Sequence, residues 1–98
     1  METQLSISRW AEQIFGPVIE PAVLVTRANT ELQELLQAVQ DSNTEEIGKE
    51  TADVVILLMR LLEQNGLSLS NEVDKKMQEN RARKWIKKGD GTGSHIKS

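Results

Sequence analysis

Four acids set in two apolar segments carry the clearest chemistry in this sequence. Glu31 and Glu34 stand three residues apart in "NTELQELLQAV", and Glu50 and Asp53 stand three apart in "KETADVVILLMRL". On a helix that spacing puts both carboxylates of a pair on one face, about a turn apart. Asp53 abuts the stretch from Val54 to Leu62, which is apolar except for Arg60. An isolated ionised carboxylate is very costly in such surroundings, so acids there are paired, neutralised or bound to a metal. Two packed antiparallel helices would bring the two pairs face to face, and an all-oxygen donor set without thiolate selects a hard cation such as Mg²⁺ or Mn²⁺. The competing readings are solvated acids on an amphipathic helix for Glu31 and Glu34, and, for Glu50 and Asp53, a helix-dipole role or pairing with Lys49 and Arg60.

The opposite charge lies downstream. Residues 1–74 carry four basic residues against thirteen acidic ones, whereas from Lys75 onward eight basic residues face only Glu79 and Asp90. An acidic body with a basic C-terminal quarter can bring divalent cations and phosphates together; a basic tail for nucleic acid is the alternative. Lys76, Asn80 and Arg83 fall at i, i+4 and i+7, a single helix face suited to phosphate oxygens and, through Asn80, to sugar or phosphate. Their plain alternative is a solvated basic face.

The elements that must position these groups have helical periodicity throughout. A short first helix, 7–15, ends at "GPVIEP", where Gly16, Pro17 and Pro21 oppose continuation. A second helix, 22–40, has Val25, Ala28, Leu32, Leu35, Leu36 and Val39 on one stripe. A third, 44–65, has Ser42 and Glu45 at capping-box spacing at its start, with Asn43 or Thr44 as alternative caps, and stops at Asn65-Gly66. A fourth, 70–86, runs into a tail, 87–98, expected to be flexible. Val54 to Met59 cover the whole circumference of the third helix, so it must be central, and the remaining helices of so short a chain cannot cover it. The fold class is therefore all-α, a single domain over 1–98 forming a four-helix-type bundle completed by oligomerisation, as a homodimer or a dimer of dimers.

Composition narrows the function further. The absence of cysteine excludes a disulfide framework, a thiolate metal site and a cysteine nucleophile. With neither a leader-like opening nor a membrane-length apolar run, the reading is a soluble cytoplasmic protein without membrane partners.

"ELQELLQAV" followed after a short loop by "KETADVVILLMRL" resembles the ExxE and ExxD signature of the MazG-like all-α nucleotide pyrophosphohydrolases, whose usual form is EExxE then ExxD. "VDKKMQENRARKW" and "GDGTGSH" are similar to the C-terminal half of the short, single-domain phage and bacterial members. Thr30 stands where the first acid of EExxE is usual. The resemblance implies hydrolysis of a nucleoside triphosphate between its α- and β-phosphates to the monophosphate and pyrophosphate, in housecleaning of the nucleotide pool. It implies Mg²⁺, with Mn²⁺ as the alternative, held by Glu31, Glu34, Glu50 and Asp53. Glu34, with Glu31, would orient the attacking water or take its proton. Lys76, Asn80 and Arg83 would bind the substrate, with Trp85 stacking on the base; the alternative for Trp85 is packing at a helix end.

Trp10 and Phe15 are expected to dock the first helix on the bundle, with a base pocket at their edge as the other reading. "GDGTGSH" is no P-loop, since it lacks the GK[ST] ending and a following helix. His95 has no evident partner. Two other functions compete with the enzyme: a small helical module that oligomerises and binds nucleic acid, and a degenerate family member that binds nucleotide without hydrolysing it, to which Thr30 points.

Overall fold

The computed structural model describes residues 1–97. Its elements in order are α1 (Gln4–Phe15), α2 (Ala22–Gln40), α3 (Thr44–Gln64), α4 (Leu69–Ala82) and a two-stranded hairpin of β1 (Trp85–Lys87) and β2 (Gly93–His95). No helix among the described residues is long and apolar enough to cross a membrane.

Local chemistry explains each boundary. α1 begins three residues before its expected start because Thr3 and Ser6 form a reciprocal box: Ser6 N–H donates to Thr3 Oγ1 (3.0 Å) and Thr3 N–H to Ser6 Oγ (2.8 Å). It ends at Gly16, whose φ of 82° is open to glycine at no steric cost. Of the three cap candidates for α3, Asn43 serves, its Oδ1 accepting from Glu46 N–H at 3.2 Å. Gln4 latches α1 to the α3–α4 turn: its side chain donates to Glu63 Oε1 and Leu67 O and accepts from Leu69 N–H, each at 2.8 Å.

α2 and α3, joined by a short turn, pack as an antiparallel pair, and α1 lies on α3. The α2 stripe that buries keeps Ala28 and Leu35 of the expected line but not its other members. Leu24, Ala28 and Ala38 are buried with Glu31 and Leu35 beside them, while Val25, Leu32, Leu36 and Val39 stay exposed. Alanines at the contact let the backbones approach closely, and the bulkier aliphatic line is left facing outward. Val54 is the one residue of α3 that is buried, and Leu58 is exposed, so the chain alone leaves much of this apolar helix open.

α4 has no extensive packing on the other three helices, being tied to α1 at its first residue through Gln4, and has no buried residue. The radius of gyration is 16.2 Å, against about 13 Å for a compact chain of this length. The single chain is an open body with an unpartnered apolar line on α2 and another, Val73 and Met77, on α4.

The fourth helix stops at Ala82 rather than continuing to 86, and part of the expected flexible tail is the hairpin; Ser98, the end of that tail, lies outside the described residues. Arg83 is extended (φ −90°, ψ 155°). The indole N–H of Trp85 donates to Asn80 O at 2.7 Å, a carbonyl at the helix end that also accepts from Arg83 N–H at 3.3 Å. In the turn, Asp90 Oδ1 accepts from Thr92 N–H (2.9 Å) and Thr92 Oγ1 (2.6 Å), bonds that hold the Asp90 carboxyl below its ordinary pKa. Gly93 is required by close approach, since a Cβ there would sit 2.6 Å from Ile86 O.

Candidate active site

The antiparallel α2–α3 pair brings the two acidic motifs together. One carboxylate oxygen each from Glu31, Glu50 and Asp53 lie within 4.8 Å of one another. Glu34 is exposed and stands outside that trio, adjoining Glu50. The helices meet with Ala28 buried one turn before Glu31 and Val54 buried directly after Asp53, so the acids sit at the mouth of the helix contact.

Like charges this close disturb one another. Glu50 is pushed up from 4.5 to about 7, first by hydrogen bonding with Glu31, then by partial burial, then by hydrogen bonding with Glu34 and the negative charge of both. When all are ionised none can donate, and Glu31 Oε2 and Glu50 Oε2 are buried without a hydrogen-bond partner. Two orphaned, converging carboxylate oxygens with a third beside them fit a hard divalent cation in chemistry and in spacing.

From the carboxylates a cavity of about 600 Å³ runs between α1, the α1–α2 loop, α2 and α3. Glu31 and Asp53 line one part of it; Arg27, Arg60, Trp10 and Phe15 line others. The expectation that Trp10 and Phe15 dock α1 is corrected here. Ala11, 1% exposed, is the anchor, whereas Trp10 (57% exposed) and Phe15 (67%) meet edge to face at 5.6 Å on the cavity wall. Their aromatic bulk cannot enter a contact that alanine fills. Arg27 and Arg60 were passed over as site residues, although a signal was present: Arg27 lies one turn before Glu31, and Arg60 two turns after Asp53.

The C-terminal residues expected to bind substrate do not reach this cavity within one chain. None of Lys76, Asn80, Arg83 and Trp85 lines it. Lys76 Nζ lies 3.4 Å from Glu79 Oε2, and Arg83 also pairs with Glu79. Arg83 is past the helix end, so the three-residue helical face reduces to Lys76 and Asn80. Asn80 Oδ1 is buried without a partner. Trp85, expected on the helix, sits on β1, edge to face with His95 at 5.8 Å, which supplies the partner His95 lacked. Thr30 is turned to its own helix, its hydroxyl donating to Thr26 O at 3.4 Å.

No curated protein sequence matches the chain. The profile of the phosphoribosyl-ATP pyrophosphohydrolase family matches residues 20–81, the segment holding all four acids. Among solved structures the fold is similar to a MazG-like pyrophosphohydrolase of cyanophage S-2L, solved with dGDP and three catalytic Mn²⁺ ions per active site. The TM-score is 0.76 at 28% identity, over 96% of this chain and 93% of that one. The paired acidic motifs on antiparallel helices, the family profile and the whole-chain likeness together place the chain in the MazG-like, phosphoribosyl-ATP pyrophosphohydrolase family, as a nucleotide pyrophosphohydrolase dependent on a divalent metal.

Proposed function

We propose that this enzyme cleaves a ribo- or deoxyribonucleoside triphosphate between the α- and β-phosphates, releasing the monophosphate and pyrophosphate, as a housecleaning activity of the cytoplasmic nucleotide pool. The observation that carries the reading is the convergence of Glu31, Glu50 and Asp53, with two orphaned oxygens, beside an apolar cavity. The cyanophage neighbour holds a purine nucleoside diphosphate and Mn²⁺, which supports a nucleotide in this cavity and either Mg²⁺ or Mn²⁺ at the acids. We favour Mg²⁺, because the donors are all oxygen.

Glu31, Glu34, Glu50 and Asp53 would hold the metal. When bound, it supplies charge neutralisation for the polyphosphate and lowers the pKa of water. Glu34, exposed and next to Glu50, would accept a proton from the attacking water, with Glu31 orienting it. The apolar wall with Trp10 and Phe15 would take the base and exclude water from that side.

Lys76, Asn80, Arg83 and Trp85 complete the site from a second copy in this reading. α4 lacks extensive packing against the helices of its own chain, its basic end complements the acidic cluster, and Asn80 Oδ1 is orphaned. The exposed apolar lines of α2 and α4 supply the surface for a homodimer or dimer of dimers. The test is a panel of NTPs and dNTPs incubated with Mg²⁺ and scored for monophosphate and pyrophosphate, with the assembly measured by light scattering. Equimolar release of the two products by an oligomer supports the reading; orthophosphate release, or no turnover by folded protein, overturns it.

A further inference from the structure

We propose that Arg60 reads the nucleobase and selects one that presents two adjacent acceptors, the O6 and N7 edge of a guanine-type purine. The inference rests on the reading of the acidic cluster as the phosphate end of a nucleotide site. α2 and α3 are antiparallel, so moving back along α2 and forward along α3 leads the same way from the carboxylates into the cavity. Arg27 lies one turn along from Glu31. Arg60 lies two turns along from Asp53, about 10 Å at the rise of a helix. A nucleotide with its phosphates at the acids would pass its sugar beside Arg27 and bring the far edge of its base to Arg60, a reach that favours the longer purine.

Arg60 is half-buried and lines the cavity with Asp53, Ile56 and Leu57 from its own helix. Among the described residues neither Arg60 nor Arg27 forms an ion pair. The Arg60 guanidinium is stationed over the ring of Phe15, 5.8 Å from its centroid, and the Phe15 and Trp10 rings meet edge to face. Cation–π attraction to Phe15 would hold the guanidinium at the cavity wall, and its planar group carries parallel N–H donors for a ligand. Two parallel donors match guanine O6 and N7, whereas adenine offers one acceptor and one donor on the corresponding edge.

The test compares kcat/KM for dGTP, dATP, dCTP and dTTP with Mg²⁺ in the wild type, Arg60→Lys and Arg60→Met, and calorimetric binding of dGMP and dAMP without metal. The wild type should prefer guanine, and the guanine-to-adenine ratio should fall roughly 5- to 150-fold in Arg60→Met. Arg60→Lys, which keeps the charge but not the fork, should lose most of the preference. An unchanged ratio, a fall shared equally by all bases, or a wild-type preference for adenine or a pyrimidine overturns the proposal. Absence of turnover on every nucleotide would instead sink the proposed reaction. In that case the monophosphates still decide: tighter dGMP binding that Arg60→Met abolishes supports the base reader, and equal affinities refute it.

Discussion

Raising the pH from about 6 to about 8 should tighten divalent-metal binding about tenfold through one group, Glu50. With its pKa at about 7, Glu50 is about one-tenth ionised at the lower pH and about nine-tenths at the upper. A cation takes the place of the proton, so affinity follows the ionised fraction. The metal-free protein should show the opposite trend in stability. Folded Glu50 holds its proton more tightly than unfolded Glu50, which titrates near 4.5. Between about 4.5 and 7 the native state therefore binds more protons than the unfolded chain, and stability falls as pH rises through that window, then levels. Mg²⁺ should offset the loss by mass action, most strongly at the upper end. Thermal melts in chelator, and calorimetric Mg²⁺ titrations at three pH values, test both trends in the wild type and Glu50→Gln. Equal affinity at the two pH extremes, or the same pH dependence in Glu50→Gln as in the wild type, would refute the coupling.

Other perturbations isolate the parts that position the site. Asn43→Ala removes the α3 cap, the bond to Glu46 N–H; it should cost about 1 kcal/mol, or roughly 4–8 °C in melting temperature, with no shift refuting the cap's role. Gly93→Ala should open the hairpin, because the new Cβ meets Ile86 O at 2.6 Å. Hydrogen exchange at the Lys88 and Ile96 amides, bonded to Thr92 O and Lys84 O, should speed up while the α2 and α3 amides stay protected. Leu36→Glu alters a residue already 58% exposed in the single chain, so it should leave helicity intact yet dissociate the assembly in light scattering. Retention of the full oligomeric mass would move the interface elsewhere.

The long helices were legible because their periodicity and punctuation are strong: Pro17 and Pro21 before α2, the polar "DSNT" before α3 and Gly66 after it each act locally, although the cap itself is Asn43 and not Ser42. The acidic pairs were legible because i, i+3 spacing fixes a shared helix face whatever the tertiary packing. What escaped depended on contacts between elements. The expected α2 line held Ala28 and Leu35 but missed the buried Leu24 and Ala38, because close helix contact favours small residues over the bulkier Leu32, Leu36 and Val39. The role of Trp10 and Phe15 turned on the loop from Gly16 to Pro21 folding beside α2 and α3 to open a cavity. The hairpin had a local signal in the Asp90-Gly91 pair with Thr92, which a reading of the tail as mobile passed over. Lys76 and Asn80 share one face of α4, as their i, i+4 spacing requires, but the sequence pattern does not say what that face meets.

The most direct test of the account is product analysis in the two acid variants that spare the fold. Wild-type protein and Glu50→Gln and Asp53→Asn, each confirmed folded, are given a saturating nucleoside triphosphate and Mg²⁺ in ¹⁸O-labelled water. The account predicts equimolar monophosphate and pyrophosphate from the wild type and a loss of at least about a hundredfold in both variants. Turnover in the variants equal to that of the wild type, or release of orthophosphate with a nucleoside diphosphate, would contradict it.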